Sequence, residues 1–245
     1  MGDSMHAKMP QAVILAGGLG TRLRAVTENR IPKPMVPVNG RPFLHHLLLY
    51  LKDNNITDVL LLVGHLHHVI VEYFGSGDWL GMNIEYSIEK EPMGTGGAVR
   101  LAIPKIKGDF ILMYGDDYTP YPIEEMYDAF IRSGKMGMIT VYSGDNTDVP
   151  RNVRTERDGD IILVKEYCKK EVHDGMNGVE AGMSFFHWDV LSMLDREKFS
   201  FEEYIFPRLI QDNELAAFLT EKRFYDIGTP ERLKIIGEML DDDNK

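Results

Sequence analysis

Short apolar runs alternate with stretches of helical length through the first 145 residues, and this alternation constrains the fold more than any other feature. Ala12–Leu15, Asp58–Val63 and Asp109–Tyr114 are almost wholly apolar. Runs of that kind fit strands buried on both faces. Asn83–Ile88 alternates apolar with polar residues, and Met138–Tyr142 adds another strand. Phe43–Leu51, His65–Phe74, Val99–Ile103 and Ile123–Ile131 read as the intervening helices. A β-α-β succession predicts an α/β fold: a Rossmann-like, mostly parallel sheet with helices on both faces.

After about residue 145 the texture changes. Asn152–Glu156, Asp160–Val164 and Val179–Phe186 read as strands around turns such as Asp158-Gly159 and Asp174-Gly175. Helices over Ser200–Ile210 and Pro230–Leu240 close the chain. The expectation is a smaller, β-rich second half folded onto the first, making one side of a shared cleft. Open α/β sheets bind ligands at the carboxyl ends of their strands. The loops after Leu15, Ile88 and Tyr114 all lie at such ends.

The first of these loops carries the strongest chemical signal. Leu15-Ala-Gly-Gly-Leu-Gly-Thr-Arg-Leu23 leads on to Pro32-Lys33-Pro34-Met35. Glycines let backbone N–H groups approach phosphate oxygens, while Arg22 and Lys33 supply positive charge. Two familiar glycine motifs do not fit. A P-loop requires Lys-Ser/Thr directly after its last glycine, where this chain has Thr21-Arg22. The dinucleotide fingerprint requires a third glycine where Leu23 stands, and an acid near Val36–Asn39, where there is none.

Charge sharpens that reading. The chain of 245 residues has a net charge of −11, which argues against nucleic acid or an anionic membrane as a general partner. Yet between Gly20 and Arg41 the basic residues are Arg22, Arg24, Arg30, Lys33 and Arg41, against the single acid Glu28. A basic segment in an acidic protein points to a local anion site. No apolar run approaches 18 residues, and the first nine residues, which read as a flexible lead-in, lack the apolar centre of a secretion signal. Cys168 is the only cysteine, so no internal disulfide forms, and a reducing, cytoplasmic setting is expected.

Two further loops carry candidate groups. Asp116 and Asp117 leave a buried strand through Gly115, where a carboxylate can hold a divalent cation against phosphate. Asp226, ahead of a helix opened by Thr229-Pro230, is a second carboxylate that can complete a Mg²⁺ site with Asp116. In Glu89-Lys-Glu91-Pro92-Met-Gly94-Thr95-Gly96-Gly97, small residues open a helix and leave room for a flat ring against the backbone. Glu89 or Glu91 can accept hydrogen bonds from base N–H groups. His45, His46, His65, His67 and His68 lack the spacing of a facing ligand pair, and the fourteen methionines read as core filling.

Taken together, from Ala12 to about Leu240, these residues resemble the sugar-nucleotide pyrophosphorylases, or sugar-1-phosphate nucleotidylyltransferases. The Tyr86–Gly97 stretch looks most like the heptose-1-phosphate and mannose-1-phosphate guanylyltransferase branch. The resemblance implies one nucleotidyltransferase domain over residues 10–245, divided near 145/146 into nucleotide and sugar-phosphate halves. It implies an NTP and a sugar 1-phosphate as substrates, Mg²⁺ as cofactor, and self-association among the expected partnerships. By the same resemblance Arg22 binds and activates the leaving pyrophosphate and Lys33 neutralises charge near the α-phosphate. Leu15, Ala16, Gly17, Gly18, Gly20 and Thr21 cradle the triphosphate; Glu89, Pro92, Gly94 and Thr95 receive the base; Asp116 and Asp226 hold Mg²⁺.

The second half departs from the family pattern. Tyr167 stands where a lysine commonly grips the sugar phosphate, leaving Lys165 or Lys169 to replace it. Glu180, with Gly182, matches a position that binds sugar hydroxyls, and Asp117 replaces a small hydroxyl residue. The carboxylate of Glu89 suits the N1–H and N2–H₂ donors of guanine, so GTP is favoured, with CTP next and UTP or dTTP after it. A non-catalytic nucleotide or sugar-phosphate sensor on the same fold is the rival expectation.

Overall fold

The computed structural model describes residues 8–18, 23, 27, 28, 30–145, 149–169 and 173–242. The strands are β1 (Gln11–Leu15), β2 (Pro37–Val38), β3 (Arg41–Pro42), β4 (Asp58–Val63), β5 (Asn83–Ile88), β6 (Phe110–Tyr114) and β7 (Asp117–Tyr118), followed by β8 (Gly137–Tyr142), β9 (Val153–Asp158), β10 (Ile161–Tyr167), β11 (Val179–Phe186), β12 (Leu215–Thr220) and β13 (Tyr225–Asp226). The α-helices are α1 (Phe43–Asp53), α2 (His67–Phe74), α3 (Gly94–Ala102), α4 (Ile123–Ser133), α5 (Phe201–Gln211) and α6 (Pro230–Asp242).

Among the described residues, nine strands form one sheet in the order β5-β4-β1-β6-β11-β8-β12-β10-β9. The β5, β4, β1 and β6 strands pair in parallel, as the β-α-β alternation predicts. β11, from the second half of the chain, lies antiparallel between β6 and β8, so one sheet runs through both halves. β12 continues parallel to β8, and the β9–β10 hairpin closes the far edge. β7 and β13 form a separate two-stranded ladder that sets Asp226 opposite Asp117.

Side-chain alternation assigns the two faces. On β4, Val59, Leu61 and Val63 join a core with α1, α2 and α4, while Leu60 and Leu62 face α3 and α5. A third, smaller core of Val38, Phe43, Tyr118, Ile227, Ile236 and Leu240 holds α6 against the β2–β3 hairpin. The caps are local: Ser200 Oγ accepts from Glu203 N at 3.3 Å to open α5, and Thr229 Oγ1 accepts from Arg232 N at 3.3 Å ahead of α6.

Several boundaries differ from expectation for identifiable reasons. α2 begins at His67 rather than His65 because Leu66 adopts a left-handed conformation with φ 57°. α3 begins at Gly94 rather than Val99, so the small residues form its first turn. β12 was not anticipated: an apolar Leu-Ala-Ala-Phe-Leu run reads as easily as helix, and Asn213 at φ 55° breaks α5 from it. No helix among the described residues is long and apolar enough to cross a membrane.

Phe186 is fully buried, with its ring centroid 5.0 Å from that of Phe201 and 5.7 Å from that of Phe110. Phe186→Ala is expected to destabilise the fold by about 3–5 kcal/mol. Urea unfolding of the two proteins measures the difference.

Candidate active site

β1, β4, β5 and β6 all end on one edge, and their last residues are stitched together there. Ala16 N donates to Leu62 O at 2.8 Å, Gly115 N to Leu15 O at 2.9 Å, and Glu89 N to Val63 O at 2.9 Å. A cavity of about 320 Å³ opens at this edge. Among the residues expected to act on a nucleotide, Leu15, Ala16, Gly17, Gly18, Lys33, Glu89, Pro92, Gly94, Thr95 and Asp116 line it. Gly20, Thr21 and Arg22 lie outside the described residues.

Close backbone approach explains two of the glycines. A Cβ on Gly17 would stand 2.9 Å from Glu89 Oε1, and one on Gly64 would stand 2.7 Å from the same oxygen. With no side chain at either position, the Glu89 carboxylate lies directly against the backbone and also accepts from Met93 N at 3.2 Å. Burial pushes Glu89 above the ordinary carboxylate range, and the Met93 N–H pulls the other way.

Lys33 opens a 3₁₀ turn, Lys33–Met35, whose Pro34 and Met35 are buried. That turn aims the lysine inward: its side chain is 11% exposed and Nζ pairs with Asp116 Oδ2. Asp116 keeps 32% of its side chain exposed, at the cavity. Its backbone O accepts from Ile227 N at 3.0 Å, which draws the β13 segment alongside. Asp226 does not line the cavity; its Oδ1 accepts from Gly228 N at 2.7 Å and its Oδ2 from Arg232.

A second acidic group lies beside the first. Gly182 has φ +80°, and a Cβ there would stand 2.7 Å from Asp117 Oδ2. The Gly182 N–H donates to Glu180 Oε1 at 2.8 Å, so the glycine is held between two carboxylates. Burial pushes Glu180 up to about 7, against the pull of that N–H, with Glu202 adding to the rise and Lys169 opposing it. Asp117 is pushed well above the ordinary range, first by burial and then by Asp116, Asp226 and Glu180. The Tyr121 hydroxyl, buried and without a hydrogen-bond partner among the described residues, feels both Glu180 and Asp117. The two lysine candidates separate. Lys165 Nζ donates to Asn213 Oδ1 at 2.7 Å, whereas Lys169 Nζ stands 3.8 Å from Glu202 Oε2. Tyr167 packs its ring against Phe206 at 5.0 Å.

Sequence reasoning missed Tyr114, Leu62 and Glu202. Tyr114 and Leu62 read as ordinary ends of apolar strands, yet both line the cavity. Glu202 is buried beneath it and accepts from Tyr114 and Thr95. The local Ser200-x-x-Glu203 pattern marks Glu203 as the capping acid and draws attention away from its neighbour.

The profile of the nucleotidyl transferase family matches residues 11–241. The chain belongs to this family. The nucleotidyl transferase is 34% identical over 230 residues to a D-glycero-alpha-D-manno-heptose 1-phosphate guanylyltransferase of Campylobacter jejuni, covering 90% of this chain and 96% of that one. It is 30% identical over 228 residues to a mannose-1-phosphate guanyltransferase of Kluyveromyces lactis, covering 90% of this chain and 62% of that one. The crystal structure of HddC from Yersinia pseudotuberculosis superposes with a TM-score of 0.77 at 32% identity, covering 95% of this chain and all (100%) of that one. The same protein complexed with GMP-PN gives a TM-score of 0.73, with the same identity and coverage.

Glu180 supplies a pH test of this nucleotidyl transferase's stability. Its carboxyl is raised from an ordinary 4.5 to about 7, so between those values the folded chain holds a proton that the unfolded chain has lost. Stability therefore falls as pH rises through that window. Glu180→Gln is expected to melt at a higher temperature than the parent, by a margin that grows from pH 4.5 to about 7 and then levels off. Thermal unfolding across pH checks both the sign and the plateau.

Proposed function

We propose that this chain transfers GMP from GTP to a heptose or hexose 1-phosphate, releasing pyrophosphate. One observation carries the reading: a single cavity holds both a carboxylate seated on glycine backbone, Glu89, and a cation–carboxylate pair, Lys33 and Asp116. The first matches the edge of guanine, which offers N1–H and N2–H₂. The second matches a phosphate chain. The guanylyltransferase names of its relatives and the GMP-PN complex of HddC support the same assignment.

In this reading a phosphate oxygen of the sugar 1-phosphate attacks the α-phosphorus of GTP in line. The bond from the α-phosphorus to the bridging oxygen breaks, and pyrophosphate leaves with that electron pair. The nucleophile is already an anion, so positioning and charge neutralisation carry the reaction. Lys33 turns its ammonium from Asp116 toward the α-phosphate oxygens, and Arg22 meets the leaving pyrophosphate. Glu180, Asp117 and Gly182 face the sugar, and Lys169 rather than Lys165 meets its phosphate. Lys165 is drawn toward Asn213, 2.7 Å away.

Mg²⁺ fits the residues present. Asp116 and Asp226 are hard oxygen donors on neighbouring segments, whose backbones are linked by the ladder that pairs Asp226 with Asp117 and by the Ile227–Asp116 hydrogen bond of 3.0 Å. Mg²⁺ usually takes one or two carboxylates and completes its shell with water and substrate phosphates. Bound there, the ion would neutralise charge on the phosphate oxygens. Asp226 would exchange its Arg232 partner for it.

Pyrophosphate release with Mg²⁺, over the four NTPs and a panel of sugar 1-phosphates, tests the proposal. The expected result is turnover with GTP and a heptose or hexose 1-phosphate. A preference for UTP or dTTP would overturn the role of Glu89, and tight NTP binding without turnover would favour a sensor. Asp116→Asn is expected to lower kcat by about 10³-fold or more while the protein stays folded by circular dichroism. Retained turnover would remove Asp116 from the reaction.

A further inference from the structure

Glu202 has no role in the reaction as drawn above, yet among the described residues three hydroxyls donate to its carboxylate. It lies in the first turn of α5, with 3% of its side chain exposed. A carboxylate buried so deeply costs free energy unless donors surround it. Oε1 accepts from the Tyr114 hydroxyl, and Oε2 accepts from Thr95 Oγ1 at 2.9 Å and Ser200 Oγ at 2.6 Å. Lys169 Nζ stands 3.8 Å from Oε2. Tyr114 and Thr95 line the cavity of Lys33 and Asp116, whereas Lys169 follows β10 on the side of Glu180. One carboxylate therefore touches the wall of the nucleotide pocket and a cation of the opposite side.

The three hydroxyls satisfy the carboxylate without Lys169, which is 49% exposed. What the lysine gains is a fixed anion. Its four-carbon stem samples many rotamers, and a carboxylate anchored by three hydroxyls holds the ammonium in one region. Lys165 has a different anchor, Asn213.

We propose that Glu202 is a positioning residue for the sugar-phosphate side of the site, a role that rests on the transfer reaction proposed above. It holds the Lys169 ammonium beside the nucleotide pocket, in the path of the incoming sugar phosphate, and ties that lysine to Thr95 and Tyr114. Buried and fully bonded, it touches neither substrate itself.

The test is a double-mutant cycle between Glu202→Gln and Lys169→Met, read as separate KM values for GTP and the sugar 1-phosphate. Glu202→Gln removes the charge, and the Thr95 and Tyr114 hydroxyls can turn to accept from the new amide. It is expected to raise the sugar 1-phosphate KM about tenfold, with a GTP KM changed by less than about threefold. In the Lys169→Met background the same change is expected to add less than about twofold. Equal effects in both backgrounds would overturn the proposal and leave Glu202 a core carboxylate. Should Glu202→Gln not fold, Ser200→Ala withdraws one of its three hydroxyl donors and carries the same test. A smaller rise in sugar 1-phosphate KM that vanishes with Lys169→Met supports the role, and one that persists overturns it. The parent protein separates the two ideas. Its silence on every sugar 1-phosphate would bring down the substrate assignment along with this role, whereas turnover with additive variants would remove this role alone.

Discussion

The parallel pairing of β1 with β4 on one side and β6 on the other is the constraint on which the rest of this structure depends. Ala12 to Leu15 run in register with Val59 to Leu62, and Gln11 to Leu15 with Phe110 to Tyr114. Because the three strands point the same way, their last residues share one edge. That edge is where Gly17, Gly64 and Gly115 leave the sheet and where the cavity opens. A slip of one residue would exchange the faces of Ala12 and Val13, which are buried in different cores. Register and site geometry are therefore the same fact seen at two scales.

The site gathers carboxylates against their electrostatic preference. Asp116, Asp117, Asp226 and Glu180 lie close enough for Asp117 to be pushed well above the ordinary range by the other three as well as by burial. The structure answers this crowding with local partners: Lys33 on Asp116, Arg232 on Asp226, and the Gly182 N–H on Glu180. Such an arrangement is poor as a store of stability, since buried charges lose more hydration than they regain. Three of the four carboxylates have a local partner, and Asp117 is raised first by burial and then by its neighbours.

How much of this could be read from the chain depends on how local each feature is. The strand ends, the glycine loop after Leu15 and the Lys33 turn between two prolines are written in contiguous residues, and they locate one side of the cavity. The extra strand β12 was hidden for a local reason: a short apolar stretch does not distinguish helix from strand. Glu202 was hidden for a different one. Its partners Thr95 and Tyr114 lie 107 and 88 residues away, and no spacing rule connects them.

Period-two and helical patterning by themselves determined an α/β sheet with a glycine-rich loop at the end of its first strand, because burial of apolar faces is specified residue by residue along the chain. Only the tertiary structure separated the two candidate lysines. Lys165 and Lys169 are equivalent on paper; packing sends one to Asn213 and the other to Glu202. It likewise placed β11 between β6 and β8, which brings Glu180 and Gly182 against Asp117. Those choices arise from long-range closure of the sheet, and the sequence records them only in the sum of its contacts.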